Sequence, residues 1–230
     1  MHPENAGTLD YVLFSGLSLG TAMLLLRYMR RPDEKDIRMT ALPVMVLGAI
    51  IGAKLPVLLS YGIRKEMIYT GKSYFGALVG AFVAVNIYKA AKNLKAAYGD
   101  RFVVPLCVAA GMGKIGCFIY GCCGGTETDF VLKVKNKLGI YVHPVQLYEA
   151  SFEFICAGLF LYLYKTEQLK GLHFLLYLAA YSVFRFCIEF TRIEPRVFAG
   201  LTVYQMMSVL VVPILVLMYN RRLHEPVSVF

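Results

Sequence analysis

Charged side chains are scarce in this sequence, at 17% of its 230 residues, whereas hydrophobic residues make up 58%. The mean hydropathy is +0.58, and such a composition excludes an ordinary soluble domain. The chain also has no low-complexity tract and no stretch typical of an interdomain linker. We therefore expect residues 1–230 to form one integral-membrane domain.

Several motifs of soluble enzymes are missing as well. The sequence contains no dinucleotide-binding fingerprint, no phosphate-binding loop and no metal-binding helix motif, so we expect neither a cofactor nor a metal ion. The opening residues, MHPENAGTLD, lack the basic stretch and short apolar core of a cleavable signal. The first apolar segment is therefore expected to be a retained span.

The chain does contain a series of long apolar segments. A helix needs about 20 apolar residues to cross the hydrocarbon core of a bilayer. Seven segments approach that length, at residues 10–29, 41–61, 73–90, 102–123, 144–164, 171–190 and 199–219. The sequence thus predicts an all-α, polytopic membrane protein with seven transmembrane helices. The longest connection, about 124–143, is expected to carry a small extramembrane element.

The distribution of positive charge predicts the orientation of the chain. With the N-terminus outside, the inner connections hold thirteen Lys and Arg residues and the outer connections eight, while three more lie in or beside spans. The positive-inside rule therefore favours an N-outside, C-inside topology. Anionic lipid at the cytoplasmic face explains the formal net charge of +9, so no nucleic-acid partner is expected.

Four polar or glycine-rich stretches fall at the ends of these spans. They are GKSYFGALVG (71–80), GKIGCFIYGCCGG (113–125), HPVQLYEA (143–150) and RFCIEFTR (185–192). In the N-outside topology all four converge near the outer membrane face. Independent packing features have no reason to share one face, so we expect a common chamber that opens toward the exterior leaflet.

Charged and polar residues within these stretches are spaced to share helix faces. Arg185 and Glu189 are four residues apart, which predicts an ion pair on one face of the sixth span. Gln146, Glu149 and Glu153 fall on one face of the fifth span. Because a charge inside a bilayer costs about 2.5–3.5 kcal/mol on insertion scales, such groups are expected to face the bundle interior or a cavity.

These residues favour a cationic cradle for an anion. The proline of HPVQLYEA suits a helix start, where free backbone N–H groups attract an anion such as phosphate. Lys114, Arg185 and His143 would complete the cradle. Glu149 or Glu189 would orient the cations.

Each of these features also has a purely structural explanation. Arg185 and Glu189 fit an intrahelical ion pair near the headgroups, which would contribute little. Lys54 and Lys114 fit lysines that snorkel to the interface. The glycines fit close helix packing, and His143 fits a residue that only starts a helix. The residues alone leave both explanations open.

Six cysteines occur, in two groups. The first group lies within apolar spans and is interpreted as small buried hydrophobes: Cys107, Cys156 and Cys187. The second group lies at the outer end of the fourth span: Cys117, Cys122 and Cys123. For this second group, a thiolate site for a metal shared with His143, a disulfide, reactive thiols of depressed pKa, and small-residue packing are the alternatives.

The quoted stretches resemble the signatures of the bacterial prolipoprotein diacylglyceryl transferase family. GKIGCFIYG resembles its GRIGNFxNGE signature, HPVQLYEA resembles HPSQLYEA, and RFCIEFTR resembles RFxxEFxR. GKSYFGALVG lies where the family has a serine–aromatic–His-Gly-Gly segment, and IGAKLPVLLSY resembles GGRLGYVLFY. The resemblance covers nearly the whole chain in order and spacing.

The resemblance implies a reaction and a location. A diacylglyceryl group would pass from phosphatidylglycerol, or a related anionic phospholipid, to the cysteine thiol of a lipoprotein precursor, releasing glycerol phosphate. The site would lie near the outer leaflet of a bacterial cytoplasmic membrane. Cationic groups would stabilise the departing phosphate, and a base would help form the attacking thiolate. Because the acceptor thiol belongs to the substrate, the enzyme needs no nucleophile of its own.

The resemblance also assigns residues to roles. The expected catalytic residues are Lys114, Arg185, Glu189 and His143. The expected substrate-binding residues are Gly113, Gly116, Gly121, Gly125, Gln146, Tyr148, Glu149, Lys54 and Gly76. The candidate reactive thiols are Cys117, Cys122 and Cys123.

The sequence departs from the family pattern at several of its signature positions. Phe75 stands where the family has a functional histidine, and a phenyl ring cannot act as a base. Lys114 replaces the signature arginine, which keeps the charge but loses the bidentate fork suited to phosphate. Cys117 and Cys122 replace an asparagine and a glutamate. The alternatives are therefore a divergent paralogue with another acceptor, a non-catalytic lipid binder or transporter, and a membrane thiol-redox protein.

Overall fold

The computed structural model describes residues 3–29, 35–69, 71–94 and 99–224. Helices dominate it, with two short hairpins between them. The elements in chain order are α1 (Pro3–Tyr28), α2 (Lys35–Tyr61), α3 (Lys65–Tyr69), α4 (Tyr74–Ala91), α5 (Asp100–Tyr120), β1 (Val134–Lys135), β2 (Tyr141–Val142), α6 (Val145–Lys165), α7 (His173–Ile188), a 3₁₀ turn (Glu189–Thr191), β3 (Arg196–Phe198), β4 (Leu201–Thr202) and α8 (Val203–His224).

Six stretches of the described helices are long and apolar enough to cross a membrane. They lie in α2, α4, α5, α6, α7 with its following turn, and α8. The first helix contributes a shorter apolar stretch, Val12–Tyr28. The prediction of a mainly helical, polytopic membrane protein is therefore confirmed, while the count of seven spans and their orientation stay predictions.

Two of the predicted span boundaries are wrong. The sequence predicts a fourth span that runs to residue 123, but α5 ends at Tyr120 because Gly121 adopts a left-handed conformation with φ of 74°. It predicts a seventh span from residue 199, but α8 begins at Val203 because the residues before it form the antiparallel hairpin of β3 and β4.

The chain divides into two compact units. The first consists of Met1–Arg30, Gly99–Phe174 and Phe190–Ile193, and the second of Arg31–Tyr98, Leu175–Glu189 and Glu194–Phe230. The expectation of a single domain stays a prediction.

In the first unit, α5 is the central helix, because both α1 and α6 pack against it. The hydroxyl of Ser18 on α1 donates a hydrogen bond to the carbonyl oxygen of Ala109 at 2.7 Å. The ring of Phe154 on α6 packs against Gly111. A Cβ added to Gly111 would lie only 2.9 Å from carbon atoms of that ring. Small residues on α5 thus permit its neighbours to approach closely.

The long connection between α5 and α6 carries a small β structure, as expected. Val134 of β1 lies opposite Val142 of β2 in an antiparallel pair. The N–H of Gly125 donates to the carbonyl of His143 at 3.1 Å, and the N–H of Thr126 donates to the carbonyl of Thr191 at 2.9 Å. Backbone hydrogen bonds therefore connect the segment after α5 to the residues just before α6 and to the turn that follows α7.

In the second unit, α2 and α4 touch through their backbones. Gly48 and Gly52 of α2 face Gly76 and Gly80 of α4, and a Cβ added at any of them would collide with the facing helix. Two glycines four residues apart on each helix make the pattern that allows such contact between membrane helices. Gly76 therefore takes part in close helix packing, as its structural explanation requires. Its substrate-binding role stays a prediction.

Side chains define the starts of two helices in the second unit. Ser73 precedes α4, and its hydroxyl accepts a hydrogen bond from the N–H of Gly76 at 3.0 Å. At α8 the pairing is reciprocal: the N–H of Thr202 donates to Gln205 Oε1 at 3.1 Å, and the N–H of Gln205 donates to Thr202 Oγ1 at 3.3 Å. This capping box fixes the first turn of α8, which carries Tyr204.

Candidate functional site

The end of α5 folds the chain back on itself. The N–H of Gly121 donates to the carbonyls of Phe118 and Cys117, and the N–H of Cys122 donates to the carbonyl of Cys117 at 3.1 Å. This is the Schellman pattern, and it needs the left-handed conformation that glycine adopts without strain. As a result, Cys122 lies over Cys117, and its thiol is 3.6 Å from the Cys117 carbonyl oxygen.

The HPVQLYEA stretch holds the loop that follows. The side-chain amide of Gln146, at the start of α6, donates a hydrogen bond to the carbonyl of Cys122. At Gly125 a Cβ would lie 2.7 Å from the carbonyl oxygens of both His143 and Thr191, so only glycine fits between them. Gln146 and Gly125, both of which the sequence predicts in the site, therefore position the backbone of residues 121–125, which we call the cysteine loop.

Glu149 lies at the centre of a charged cluster in the first unit. Its side chain is 2% exposed and pairs with the amine of Lys114 on α5. The guanidinium of Arg192 donates to Glu149 Oε1 at 3.1 Å. Lys114 is 21% and Arg192 13% exposed. Two cations therefore flank one buried carboxylate.

Arg192 was not among the expected site residues. Arg192 is the second arginine of RFCIEFTR, and this is the feature of the sequence that could have identified it. Helical spacing does not predict its position, because it lies beyond the end of α7. The backbone pairing of Gly125 with Arg192 brings it to the first unit. For Lys114, its pair with Glu149 replaces the snorkelling explanation.

The three cysteines of the loop form a cluster. Their Sγ atoms all lie within 4.8 Å of one another, and all three are free thiols. A hydrogen bond from the Cys117 thiol, together with the charges of Lys114 and Arg192, lowers the pKa of Cys123 to about 5 although burial opposes the shift. Burial raises the pKa of Cys122. Within the cluster, Cys123 is therefore the sulfur at which negative charge is most favoured.

The other cysteines are as expected with one exception. Cys107 and Cys156 are buried, but Cys187 is exposed on α7, so its interpretation as a buried residue is wrong. It lies within a predicted membrane span, where an outward-facing small apolar side chain is compatible with lipid.

The side chain of His143 lies outside the cysteine cluster, although its carbonyl accepts a hydrogen bond from the N–H of Gly125. Its Nδ1 is 3.4 Å from the hydroxyl of Tyr148, and its ring lies 6.0 Å from that of Phe130. Its ring nitrogens do not join the group formed by the three thiols. The structure therefore does not support a metal site shared between His143 and these cysteines.

In the second unit, Arg185 and Glu189 form the predicted ion pair. Arg185 Nη2 is 2.9 Å from Glu189 Oε2, and the two side chains are 5% and 0% exposed. The guanidinium also lies 4.3 Å from the ring centroid of Tyr204. A pair this deeply buried is not the weak headgroup pair of the structural alternative, because removing one partner would leave a desolvated charge.

The start of α4 is aromatic and has no histidine. Phe75 is 1% exposed and its ring centroid lies 5.7 Å from that of Tyr181. The hydroxyls of Tyr74 and Tyr177 are 2.8 Å apart. Nearby, the amine of Lys54 donates to the carbonyl of Gly71 at 2.7 Å, in the loop before α4. Its snorkelling explanation and its substrate-binding role both stay predictions.

The structure distributes the expected residues over both units. The first unit contains Lys114, Gly113, Gly116, Gly121, Gly125, His143, Gln146, Tyr148, Glu149 and the three clustered cysteines, and the second contains Lys54, Gly76, Arg185 and Glu189. Within the first unit, Lys114 pairs with Glu149, and Gln146 binds the backbone of Cys122. The expectation of one chamber shared by all four motifs stays a prediction.

Comparisons with known proteins identify the family. Residues 10–220 match the model of the family described as prolipoprotein diacylglyceryl transferase. The phosphatidylglycerol–prolipoprotein diacylglyceryl transferase of Clostridium tetani is 30% identical over 203 residues, which cover 81% of each chain.

Two further relatives carry the same description. The second such enzyme of Clostridium perfringens is 27% identical over 227 residues, covering 91% of this chain and 88% of its own. That of Bordetella parapertussis is 32% identical over 170 residues, covering 68% of this chain and 64% of its own. Since the family match spans most of the sequence, the chain belongs to the prolipoprotein diacylglyceryl transferase family.

Proposed function

We propose that this chain transfers the diacylglyceryl group of phosphatidylglycerol to the cysteine thiol of a lipoprotein precursor. Its relatives are named for that reaction. The single observation that carries the proposal is the arrangement of Lys114 and Arg192 around the buried Glu149. Two cations held beside each other in an apolar protein suit an anionic lipid headgroup.

The reaction is a substitution at carbon. The acceptor thiolate attacks the glycerol carbon that carries the phosphate ester, a carbon–sulfur bond forms, and the carbon–oxygen bond breaks. The departing oxygen keeps the electron pair, so glycerol phosphate leaves with one more negative charge than the ester had. Preorganised cations opposite that oxygen would supply most of the rate enhancement. We assign this role to Lys114 and Arg192, which Glu149 orients. The catalytic role expected of Arg185 and Glu189 stays a prediction.

The proton of the acceptor thiol needs a base. Phe75 has no titratable group, so we assign the role to His143, which is half-buried at the start of α6. Tyr148, whose hydroxyl lies 3.4 Å from Nδ1, orients the imidazole and leaves Nε2 to accept the proton.

Glycines and polar groups around these residues complete the proposed site. A Cβ at Gly113 would meet nothing within 4 Å, which makes this part of α5 suitable for a lipid chain. The end of α5 and the cysteine loop shape one part of the proposed binding site, and we assign this role to Gly116, Gly121, Gly125 and Gln146. The loop before α4 shapes another part, to which we assign Lys54 and Gly76. We place the site near the outer leaflet of the bacterial cytoplasmic membrane, in a seven-span, N-outside chain.

The proposal is tested with the full-length protein in lipid nanodiscs. The discs contain either phosphatidylglycerol or phosphatidylcholine, and the acceptor is a peptide with a lipobox cysteine. Mass spectrometry should find a thioether-linked diacylglyceryl peptide only with phosphatidylglycerol. Lys114→Ala should abolish it, while Lys170→Ala, which removes an exposed lysine paired with Glu167, should not. Folded protein that gives no thioether product would refute the lipoprotein assignment.

A second candidate is a paralogue that uses the same lipid but another thiol acceptor. The burial of Phe75 at the position of the family's histidine favours it. With a small-molecule thiol added beside the peptide, a diacylglyceryl thioether on that thiol and none on the peptide would distinguish this reaction from the first. Lipid binding without any turnover would instead indicate a binder or transporter. Loss of a redox activity on replacing all three clustered cysteines by serine would indicate a thiol-redox protein.

A further inference from the structure

Three sulfur atoms converge where α5 ends, and the proposed transfer reaction uses none of them. The Sγ atoms of Cys117, Cys122 and Cys123 lie within 4.8 Å of one another, and the three thiols are free. Cys117 and Cys122 are partly buried, whereas Cys123 is exposed, so the cluster can be reached from outside the protein.

The backbone fixes this convergence. The Schellman turn at Gly121 returns Cys122 to Cys117, and Cys123 itself has a left-handed φ of 59°. A side chain other than glycine in that conformation is strained and persists when its surroundings hold it. The hydrogen bond from Gln146 to the Cys122 carbonyl provides part of that hold.

We propose that Cys117, Cys122 and Cys123 bind one thiophilic cation of the Zn²⁺ or Cu⁺ class through their three sulfurs. Thiolate–zinc bonds are about 2.3 Å long, so three sulfurs on a tetrahedral ion lie about 3.8 Å apart. The separations in the cluster need to shrink by no more than about 1 Å to meet that geometry. A disulfide would use only two of the sulfurs and requires about 2.05 Å between them.

The charge of the surroundings complements such a centre. Three thiolates and one divalent ion carry a net charge of −1, and the protons of the thiols are released on binding. The positive charges of Lys114 and Arg192 both act on Cys123, so cations stand beside the proposed centre. Soft thiolate donors select Zn²⁺ and Cu⁺ over Mg²⁺ and Ca²⁺. The fourth coordination position of Zn²⁺ is left to water, because His143 lies outside the group.

The first test measures metal stoichiometry on full-length protein in detergent. The protein is treated with a chelator and a phosphine reductant, loaded separately with Zn²⁺ and with Cu⁺, and freed of excess metal by gel filtration. Elemental analysis should find about one ion per chain for at least one of the two metals, and the stronger binder identifies the native class. Cys122→Ser and Cys123→Ser should weaken binding at least about 100-fold, since even changes outside the ligand set cost 10–100-fold. The matched control is Cys187→Ser, which removes an exposed cysteine of the other unit and should leave the stoichiometry unchanged.

A second measurement keeps the test valid if the serine variants fail to fold. In the wild-type protein, saturating Zn²⁺ or Cu⁺ should slow maleimide labelling of the three clustered thiols at least about tenfold while the labelling rate of Cys187 stays unchanged. The proposal is overturned if neither metal is retained by the wild type, or if retained metal leaves the labelling rates of the cluster unaltered. A disulfide between two of these cysteines that persists through the reduction step would also overturn it.

Discussion

The carboxylate of Glu149 on α6 accepts a hydrogen bond at 3.1 Å from Arg192, which lies 43 residues further along the chain and beyond the end of α7. Its other oxygen pairs with Lys114 on α5. One buried carboxylate thus ties together three of the four polar or glycine-rich stretches of the sequence.

Replacing Glu149 by glutamine should damage both stability and activity. The amide keeps the size of the side chain but leaves the two cations without their counter-charge in a site that is largely buried. Removing one partner of a buried pair costs about 3–5 kcal/mol. We expect a lower midpoint of thermal unfolding, followed by circular dichroism, and loss of lipid transfer. Glu167→Gln, which alters a pair whose glutamate is 64% exposed, should be neutral in both assays. Equal behaviour of the two variants would show that Glu149 does not hold the cluster.

Tyr204 should contribute to the site through its ring and not through its hydroxyl. The Arg185 guanidinium lies 4.3 Å from the ring centroid, and a desolvated contact of this kind contributes about 2 kcal/mol. Tyr204→Leu should therefore raise the KM for phosphatidylglycerol by roughly 10-fold or more, whereas Tyr204→Phe should leave it within about twofold. An effect of Tyr204→Phe as large as that of Tyr204→Leu would contradict this role.

The seam between α2 and α4 should reject even a methyl group. In Gly52→Ala the new Cβ would collide with the backbone of Gly76 and Gly80. Overpacking of this kind costs about 1–3 kcal/mol. Gly158→Ala on α6 is the control, because its Cβ would meet nothing within 4 Å and alanine favours a helix by about 0.5–1 kcal/mol. The two variants should shift the unfolding midpoint in opposite directions, and a stabilising Gly52→Ala would refute the contact.

Gly121 should determine the geometry of the cysteine cluster. Its φ of 74° is strained by about 1–2 kcal/mol for alanine, while asparagine tolerates it better. Gly121→Ala should therefore loosen the turn, and a short bifunctional thiol reagent should bridge Cys117 and Cys122 less efficiently than in the wild type. Gly121→Asn should retain most of the bridging. Unchanged bridging in Gly121→Ala would mean that the turn does not position the thiols.

Local features were predictable from the sequence because they depend on short-range spacing. The Arg185–Glu189 pair follows from a separation of four residues on a helix and is present at 2.9 Å. The apolar runs place the main helices, and the glycine spacing of α2 and α4 produces the contact expected of small residues in membranes.

Features that depend on distant residues were not predictable. The pairing of Arg192 with Glu149 requires the backbone bridge between residue 192 and Gly125, which no helical periodicity encodes. Helix α5 ends early because Gly121 adopts a left-handed conformation. A glycine in an apolar segment is equally compatible with a helix end and with close helix packing, so the sequence alone did not predict this end. The hydrogen bond from Lys54 to the carbonyl of Gly71 joins residues 17 positions apart, and no local spacing predicts it.

The backbone contact between α2 and α4 also limits how a lipid can approach. Between α2 and α4, backbone carbonyl oxygens of one helix face the α-carbons of glycines on the other. The space between the two backbones is narrower than a hydrocarbon tail. No acyl chain can slide in sideways along that line, and these two helices cannot part without losing the contact. A lateral portal from the bilayer, wherever it opens, must therefore use other pairs of helices.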